Sequence, residues 1–377
     1  MLLAGAGCLV SGFLPWPAFL QLAGRTVPVL TFVVAMTLVT ELVDNAGLFR
    51  VVTDRIAWLG RGSVFLLWLL VIALATVSTV FLSLDTTAVL VTPVVVLLAV
   101  HARIPPLPFA LTTVWLANTA SLLLPVSNLT NLLAQDLLAF SPLKFAGLVW
   151  APALVGVLVP VALLWLAFRK DFRGRYGPQT PHHVRDRRLL YVSGGTVLVL
   201  LPALVSGIPV VIPAVAAAVF LLAVFLWRRP STLHWSMVPW RPLMLASGLF
   251  MVVEALHAHG LTEILAPAAG SGGGLADLLR LAALGAGAAN VANNLPAYLA
   301  MEPVAGSPVR LAAVLIGVNL GPLVAPWASL ATLLWHERLQ TLNLRVRWGG
   351  FALAGLAAVV LTLPLAVLAL WVTSGMH

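Results

Sequence analysis

Several polar side chains of this sequence stand in the middle of long apolar segments, where they are costly unless they have a function. Asp85 lies within the segment 62–100, which contains no Lys or Arg to pair with it. On insertion scales a charged carboxylate at the bilayer centre costs roughly 3 kcal/mol, so Asp85 is expected to face a wet cavity, bind a cation or carry a proton for part of a cycle. The sequence therefore predicts proton coupling at Asp85.

Two prolines point to a second kind of chemistry. Pro125 and Pro326 are predicted helix breaks inside the apolar segments 107–140 and 311–335, because each removes a backbone donor and frees a carbonyl. Serine and threonine near one break often only restore the lost hydrogen bonds, whereas matched polar groups at two breaks favour solute binding. The residues predicted to bind a substrate are Ser83, Asp85, Thr86, Thr87, Asn118, Ser127, Asn128, Asn131, Asn293, Asn294, Asn319, Ser329 and Thr332.

The elements that must hold these residues are membrane-spanning helices. Of the 377 residues, 61% are hydrophobic and 9% are charged, whereas a typical soluble chain carries about 25% charged residues. This composition predicts an all-α polytopic membrane protein. The predicted apolar segments are 3–22, 26–49, 62–100, 107–140, 145–168, 189–205, 209–227, 242–258, 278–300, 311–335 and 349–373.

Two of these segments do not fit a simple crossing. The segment 62–100 is too long for one, and Asp85 is in its middle, so we predict a re-entrant helical hairpin that enters and leaves on one face of the membrane. The segment at about 278–300 has the same character, with Asn293, Asn294 and Pro296 at its centre. With both hairpins returning to their own side, the sequence predicts nine crossings.

The basic residues predict the orientation. If the loop 50–61 is placed inside, all of the 21 Lys and Arg residues fall inside except four, which are Arg25, Lys144, Arg280 and Arg310. The positive-inside rule explains this asymmetry, and with it the net charge of +9, better than a nucleic-acid partner does. The predicted location is the bacterial inner membrane, with the N-terminus inside and the C-terminus outside.

The two halves of the chain resemble each other. The stretch from Asn118 to Leu133 aligns without gaps to Asn319 to Leu334, with the asparagines and prolines in register. Two shorter matches occur in the same order in both halves and pair Glu41 with Glu254 and Asp85 with Asn294. We predict an N-terminal repeat over 1–168, a cytoplasmic linker over 169–188 and an inverted C-terminal repeat over 189–377, each repeat with one hairpin and one broken helix.

The sequence argues against an enzyme. It contains no HExxH, GxSxG or Walker A motif, and Gly285-Ala-Gly287 lacks the third glycine of a dinucleotide loop, so these glycines are expected to let helices pack closely. Cys8 is the only cysteine, which excludes disulfides and cysteine-rich zinc sites. No cofactor and no metal site are predicted.

Two stretches carry a family resemblance, WLANTASLLLPVSNLTNLLA at 115–134 and GVNLGPLVAPWASLATLLW at 317–335. Together with Asn293-Asn-Leu-Pro296, they resemble the arsenite efflux permeases of the ArsB type. These permeases are part of an ion-transporter superfamily that includes divalent-anion:sodium symporters and sodium/proton antiporters. The resemblance implies a scaffold domain, a transport domain of hairpins and broken helices, and one further helix before the first segment.

The resemblance also implies a function, which is proton-coupled export of arsenite or antimonite by a secondary transporter. Arsenous acid is neutral at pH 7, and a cavity without Lys or Arg, as expected here, suits a neutral solute. The alternatives are a sodium-coupled anion symporter or a sodium/proton antiporter of the same superfamily, and a membrane scaffold or receptor that transports nothing. The expected partners are a small inorganic solute, protons or sodium, and the lipid bilayer, and the further candidates are a soluble ATPase on the cytoplasmic face and a second copy in a homodimer.

Overall fold

The computed structural model describes residues 1–177 and 186–375, which form helices joined by turns and short loops. Residues 178–185 of the predicted linker, with Arg185, lie outside the described residues. Nine helices of the described part are long and apolar enough to cross a membrane. The predicted all-α polytopic architecture is confirmed. These nine helices are not the nine predicted crossings, because they include hairpin arms and leave out the broken helices.

The first two helices differ from the prediction. Helix α1, Leu2–Val10, has nine residues, a length of about 14 Å that is too short for a hydrocarbon core of about 30 Å. Helix α2, Trp16–Asn45, then runs without interruption for 30 residues. The predicted crossings at 3–22 and 26–49 are therefore wrong. The chain breaks at Gly12, which has a φ of 76°, and not at Arg25, because ion pairs keep that arginine inside a helix.

The remaining helices of the first half are α3 to α8. They are, in order, Leu48–Leu59, Val64–Leu82, Leu84–His101, Pro106–Thr119, Leu129–Leu138 and Pro142–Phe168. Helix α5 contains one π-helical turn at Thr87–Val91. Helices α4 and α5 form the first hairpin, and the hydrogen bond of 2.8 Å between the hydroxyls of Thr79 and Thr87 joins its arms near the tip.

The second half begins with two spans, α9 and α10, and then repeats the element order of α2 to α8. Helices α9 to α17 are Arg187–Val205, Val211–Arg228, Trp240–Ala258, Leu261–Ala269, Leu275–Ala292, Asn294–Ala305, Pro308–Leu320, Leu330–Thr341 and Trp348–Thr373. Helix α10 packs along α2, and α1 packs against α11. Each half thus packs one of its helices against the other half. The opposite orientation of the halves in the membrane stays a prediction.

The backbone shows how the two hairpins correspond. Ser83, between α4 and α5, has a φ of 121°, and Asn293, between α13 and α14, has a φ of 118°. These two residues are therefore equivalent, and Asp85 corresponds to Leu295. The predicted pairing of Asp85 with Asn294 is wrong by one residue. Similar side-chain types favour the pairing with Asn294, whereas the residue with positive φ decides where the chain turns.

Small residues allow the helices of the second half to approach closely. A Cβ atom on Gly285 of α13 would lie 3.3 Å from the carbonyl oxygen of Val314 in α15, tighter than ordinary contact. A Cβ atom on Gly287 would meet nothing within 4 Å. The predicted packing role is therefore confirmed for Gly285 alone. Gly355 of α17 lies directly against the carbonyl of Leu323, in the unwound stretch that follows α15.

Gly355→Val is expected to lower the thermal midpoint of unfolding in detergent, because the new side chain would overlap the backbone at Leu323. Overpacking of this kind typically costs about 1–3 kcal/mol. Gly350→Val in the same helix is the matched control, since a Cβ atom there meets nothing within 4 Å. Differential scanning fluorimetry measures both midpoints, and equal midpoints would contradict the prediction.

Candidate solute-binding site

A cavity of about 630 Å³ with polar residues in its lining lies within the described residues. Helices α2 and α11 form one wall, and the opposite wall consists of the two hairpin tips and the starts of α7 and α16. Sequence reasoning predicted substrate-binding residues from all four elements of this opposite wall, so the fold brings together groups that are far apart in the chain. The predicted residues that line the cavity are Ser83, Asp85, Thr86, Asn128, Asn293, Asn294 and Ser329.

Four helix N-termini meet at this cavity. They follow Ser83, Asn128, Asn293 and Ser329, and each helix begins because the residue before it leaves the helical conformation. The side chains of Ser83, Asn128 and Asn293 each accept a hydrogen bond from a backbone N–H of the helix that follows, at 3.3 Å. The Ser329 side chain makes no such bond. Since helix N-termini carry partial positive charge, the cavity favours the oxygen atoms of a solute.

Two side-chain oxygens at the cavity lack a partner. Asp85 Oδ1 and Ser329 Oγ are buried and make no hydrogen bond within the described residues. Buried polar groups are usually paired, and an exception calls for an explanation. Because both residues line the cavity, the simplest explanation is that a bound solute, water or proton completes their bonding.

Asn319 lies at the centre of a buried hydrogen-bond network and does not line the cavity. Its Nδ2 donates to Asn131 Oδ1 at 2.8 Å. Its Oδ1 accepts from Asn128 Nδ2 at 2.6 Å and from Thr130 Oγ1 at 3.2 Å. Asn319 belongs to the second half of the chain and its three partners to the first. The network therefore joins the two broken helices.

A related bond lies on the other side of the same interface. Asn118, the counterpart of Asn319, donates from Nδ2 to Thr332 Oγ1 at 3.3 Å, and Thr332 is the counterpart of Asn131. Both side chains are buried, and neither lines the cavity. The two asparagines thus make equivalent bonds across the interface, which indicates a positioning role for both.

Other predicted residues make hydrogen bonds that hold the first broken helix and the first hairpin in place. Asn131 Nδ2 also donates to the carbonyls of Ser121 at 2.7 Å and Leu124 at 3.1 Å, both in the first break. Ser127 Oγ donates to the carbonyl of Val80 at 2.8 Å. Thr87 bonds within its hairpin. Asn131, Ser127 and Thr87 do not line the cavity.

The breaks are wider than proline kinks. Helix α6 ends at Thr119 and α15 at Leu320, and the chain is unwound before Pro125 and Pro326, which each begin a 3₁₀ turn. In the second break Asn290 of α13 donates to the carbonyl of Gly321 and accepts from the N–H of Ala325. Sequence reasoning missed Asn290, although an asparagine in an apolar segment was a signal for it.

The prediction of a cavity without Lys or Arg is wrong. Arg241, in the first turn of α11, and Arg338, in the last turn of α16, both line the cavity and are exposed. Glu41 of α2 lines it as well. Arg241 and Arg338 lie just outside the predicted segments 242–258 and 311–335, so the sequence indicates loop positions for them. Helices α11 and α16 extend far enough to carry both guanidinium groups to the mouth.

The described residues form two hairpins and two broken helices around a polar cavity, an arrangement typical of membrane transporters. Residues 1–332 match the model of the CitMHS family, described as citrate transporter. The chain belongs to this family of membrane transporters.

Curated relatives and a solved structure agree with this assignment. The chain is 30% identical to the arsenical pump membrane protein of Escherichia coli K12 over 88% of its own length and 82% of the relative's. It is 24% identical to the putative arsenical pump membrane protein of Bacillus subtilis, with 92% and 86% covered. The crystal structure of the Alcanivorax borkumensis YdaH transporter covers 95% of this chain and 88% of its own, with 14% identity and a TM-score of 0.57. This structural likeness supports the fold alone.

Proposed function

We propose that this transporter exports arsenite or antimonite and that a proton enters in exchange, carried by Asp85. The observation that carries the proposal is the carboxylate of Asp85, which has a buried, unpartnered oxygen in a cavity of about 630 Å³. The similarity to arsenical pump membrane proteins supports the choice of solute.

The chemistry of arsenous acid matches the polar groups of the cavity. Its hydroxyl groups can donate to Asp85 Oδ1 and Ser329 Oγ, and its oxygens can accept from backbone N–H groups at the start of α16, where no side chain occupies them. Protonation of Asp85 removes the best acceptor, so solute and proton compete for one site. Such competition couples the two movements in opposite directions.

The predicted orientation agrees with export. Arg241 and Arg338 at the mouth of the cavity both belong to the set predicted to lie inside. The cavity would then receive its solute from the inside of the cell.

Expression of the chain in an arsenite-sensitive bacterial strain is expected to raise the arsenite concentration that stops growth and to lower cellular arsenic. Growth curves and elemental analysis of washed cells measure the two effects, and an epitope tag confirms that the protein reaches the membrane. If the tagged protein is in the membrane and both quantities stay at the level of an empty vector, arsenite is not the solute.

A second candidate is sodium-coupled transport of an organic anion such as citrate. Two observations favour it, namely the two arginines at the mouth, which attract anions, and the family whose model matches the chain. Everted membrane vesicles loaded with labelled citrate or with labelled arsenite distinguish the candidates. Sodium-dependent movement of citrate, with no movement of arsenite, would replace the first proposal by the second.

A further inference from the structure

A second, smaller cavity of about 210 Å³ lies along the same helices as the large one. Helix α2 lines the small cavity with residues 22–26 and the large one with residues 30–41. Helices α7, α11 and α14 also line both cavities, and on each helix the two sets of lining residues follow one another with little or no gap. The two cavities are therefore consecutive sections of one interface.

One arginine holds this interface together at the small cavity. Arg25 of α2 donates to Glu302 of α14, with Nη1 at 3.2 Å from Oε2, and also pairs with it through Nη2. It donates to the carbonyl of Leu133 in α7 at 3.0 Å, and its Nε lies 3.5 Å from Asp136. Arg25 thus ties α2 to the second hairpin and to the first broken helix, the two elements whose other ends border the large cavity.

The charges around Glu302 make this pair sensitive to disruption. Glu302 is buried, with 6% of its surface exposed. The groups that face it are Arg25 from α2, Tyr298 from its own helix and His257 from α11, while Glu254 of α11 lines the same cavity. A buried carboxylate that loses its only close guanidinium is strongly destabilised unless water or a proton reaches it.

From this geometry we infer that the small cavity is the second end of the solute path and that Arg25 and Glu302 form the gate that closes it. In the structure Arg241 and Arg338 are exposed at the large cavity, whereas Arg25 and Glu302 are paired with each other at the small cavity. When the gate opens, α2 separates from α14 and α7, and the solute leaves through the space that the ion pair occupied. The inference rests on the transporter function of the chain and not on the identity of its solute.

Thiol accessibility tests the gate without any assumption about the solute. In a Cys8→Ser background, Thr26→Cys places a thiol in the small cavity, and Thr37→Cys places one in the large cavity. An impermeant thiol reagent applied to each face of membrane vesicles is expected to label the thiol at position 37 quickly and the thiol at position 26 slowly. Equal labelling rates in the otherwise native protein would overturn the inference.

Removal of the ion pair should open the small cavity. Arg25→Gln and, separately, Glu302→Gln are expected to raise the labelling rate at position 26 by about tenfold or more, because breaking a buried ion pair shifts a closed state strongly towards open. Arg280→Gln is the matched control, since Arg280 bonds to the carbonyl of Pro267 and lines neither cavity.

Two results would count against the gate. The first is a labelling rate at position 26 that neither substitution changes. The second is a joint rise of the rates at positions 26 and 37, because a common rise means that the whole protein has loosened. A faster rate at position 26 alone supports the gate even in a chain that moves no arsenite. In that case the proposed solute fails and the gate remains.

Discussion

Asp85→Asn is expected to abolish uphill efflux of arsenite and to leave passive exchange of arsenite intact. Asparagine keeps the size of the side chain and one acceptor oxygen but cannot be ionised, so the substitution removes the titratable charge. The structure strengthens this expectation because Asp85 lines the large cavity and its buried Oδ1 has no partner within the described residues. Only a group that is free to gain and lose a proton can couple its movement to that of a solute.

Everted vesicles with an imposed pH gradient measure the uphill flux, and vesicles with equal pH and labelled arsenite on both sides measure exchange. Asp171→Asn, in the loop after α8, is the matched control because Asp171 lines neither cavity. A modest loss of affinity with pH dependence intact would mean that Asp85 binds the solute through hydrogen bonds only. Full uphill transport by Asp85→Asn would move the coupling role to Glu41 or Glu254.

Asn319→Ala is expected to destabilise the protein much more than Asn118→Ala, although the two residues are counterparts in the two halves. Asn319 makes three side-chain bonds across the interface, to Asn128, Thr130 and Asn131. Asn118 makes one, to Thr332. Each buried polar group left without a partner costs about 1–3 kcal/mol, so the difference between the two variants should be large.

Thermal unfolding in detergent measures both variants, and transport assays add a second reading. The Asn319→Ala substitution removes the hydrogen bond to Asn128, which lines the cavity. The transport rate of this variant should therefore fall along with its stability. Within the described residues Asn118 makes no direct bond to a residue that lines the large cavity, so the Asn118→Ala variant should keep more of its transport. An unfolding midpoint for Asn319→Ala at or above that of Asn118→Ala would show that the network does not hold the broken helices together.

Much of the candidate site was predicted from the sequence, but its division into two parts was not. The prolines and the polar residues beside them indicated two broken helices, because a proline cannot donate in a helix and its neighbours must compensate. The structure separates those residues into groups that line the cavity, such as Asp85 and Ser329, and groups that hold the breaks, such as Asn131 and Asn319. A linear sequence does not say towards which neighbouring helix a polar side chain points.

The charged residues show the same limit. Arg25 resembled a loop residue because a charge inside an apolar stretch usually marks a boundary. The structure keeps it within α2, where Glu302 and Asp136, far away in the sequence, compensate its charge. Arg241 and Arg338 resembled ordinary inside charges, yet the lengths of α11 and α16 bring them to the cavity.

The sequence by itself determined the class of this protein, the helical segments after the first two and the positions of the two breaks, since hydropathy and proline geometry act over a few neighbouring residues. Only the tertiary structure decided the register of the hairpins, the walls of the cavity and the pairing of Arg25 with Glu302. In lipid, no hydrophobic pattern selects which helix faces which, and the arrangement depends on close packing and on hydrogen bonds between distant segments. Those contacts form only when the whole chain is folded.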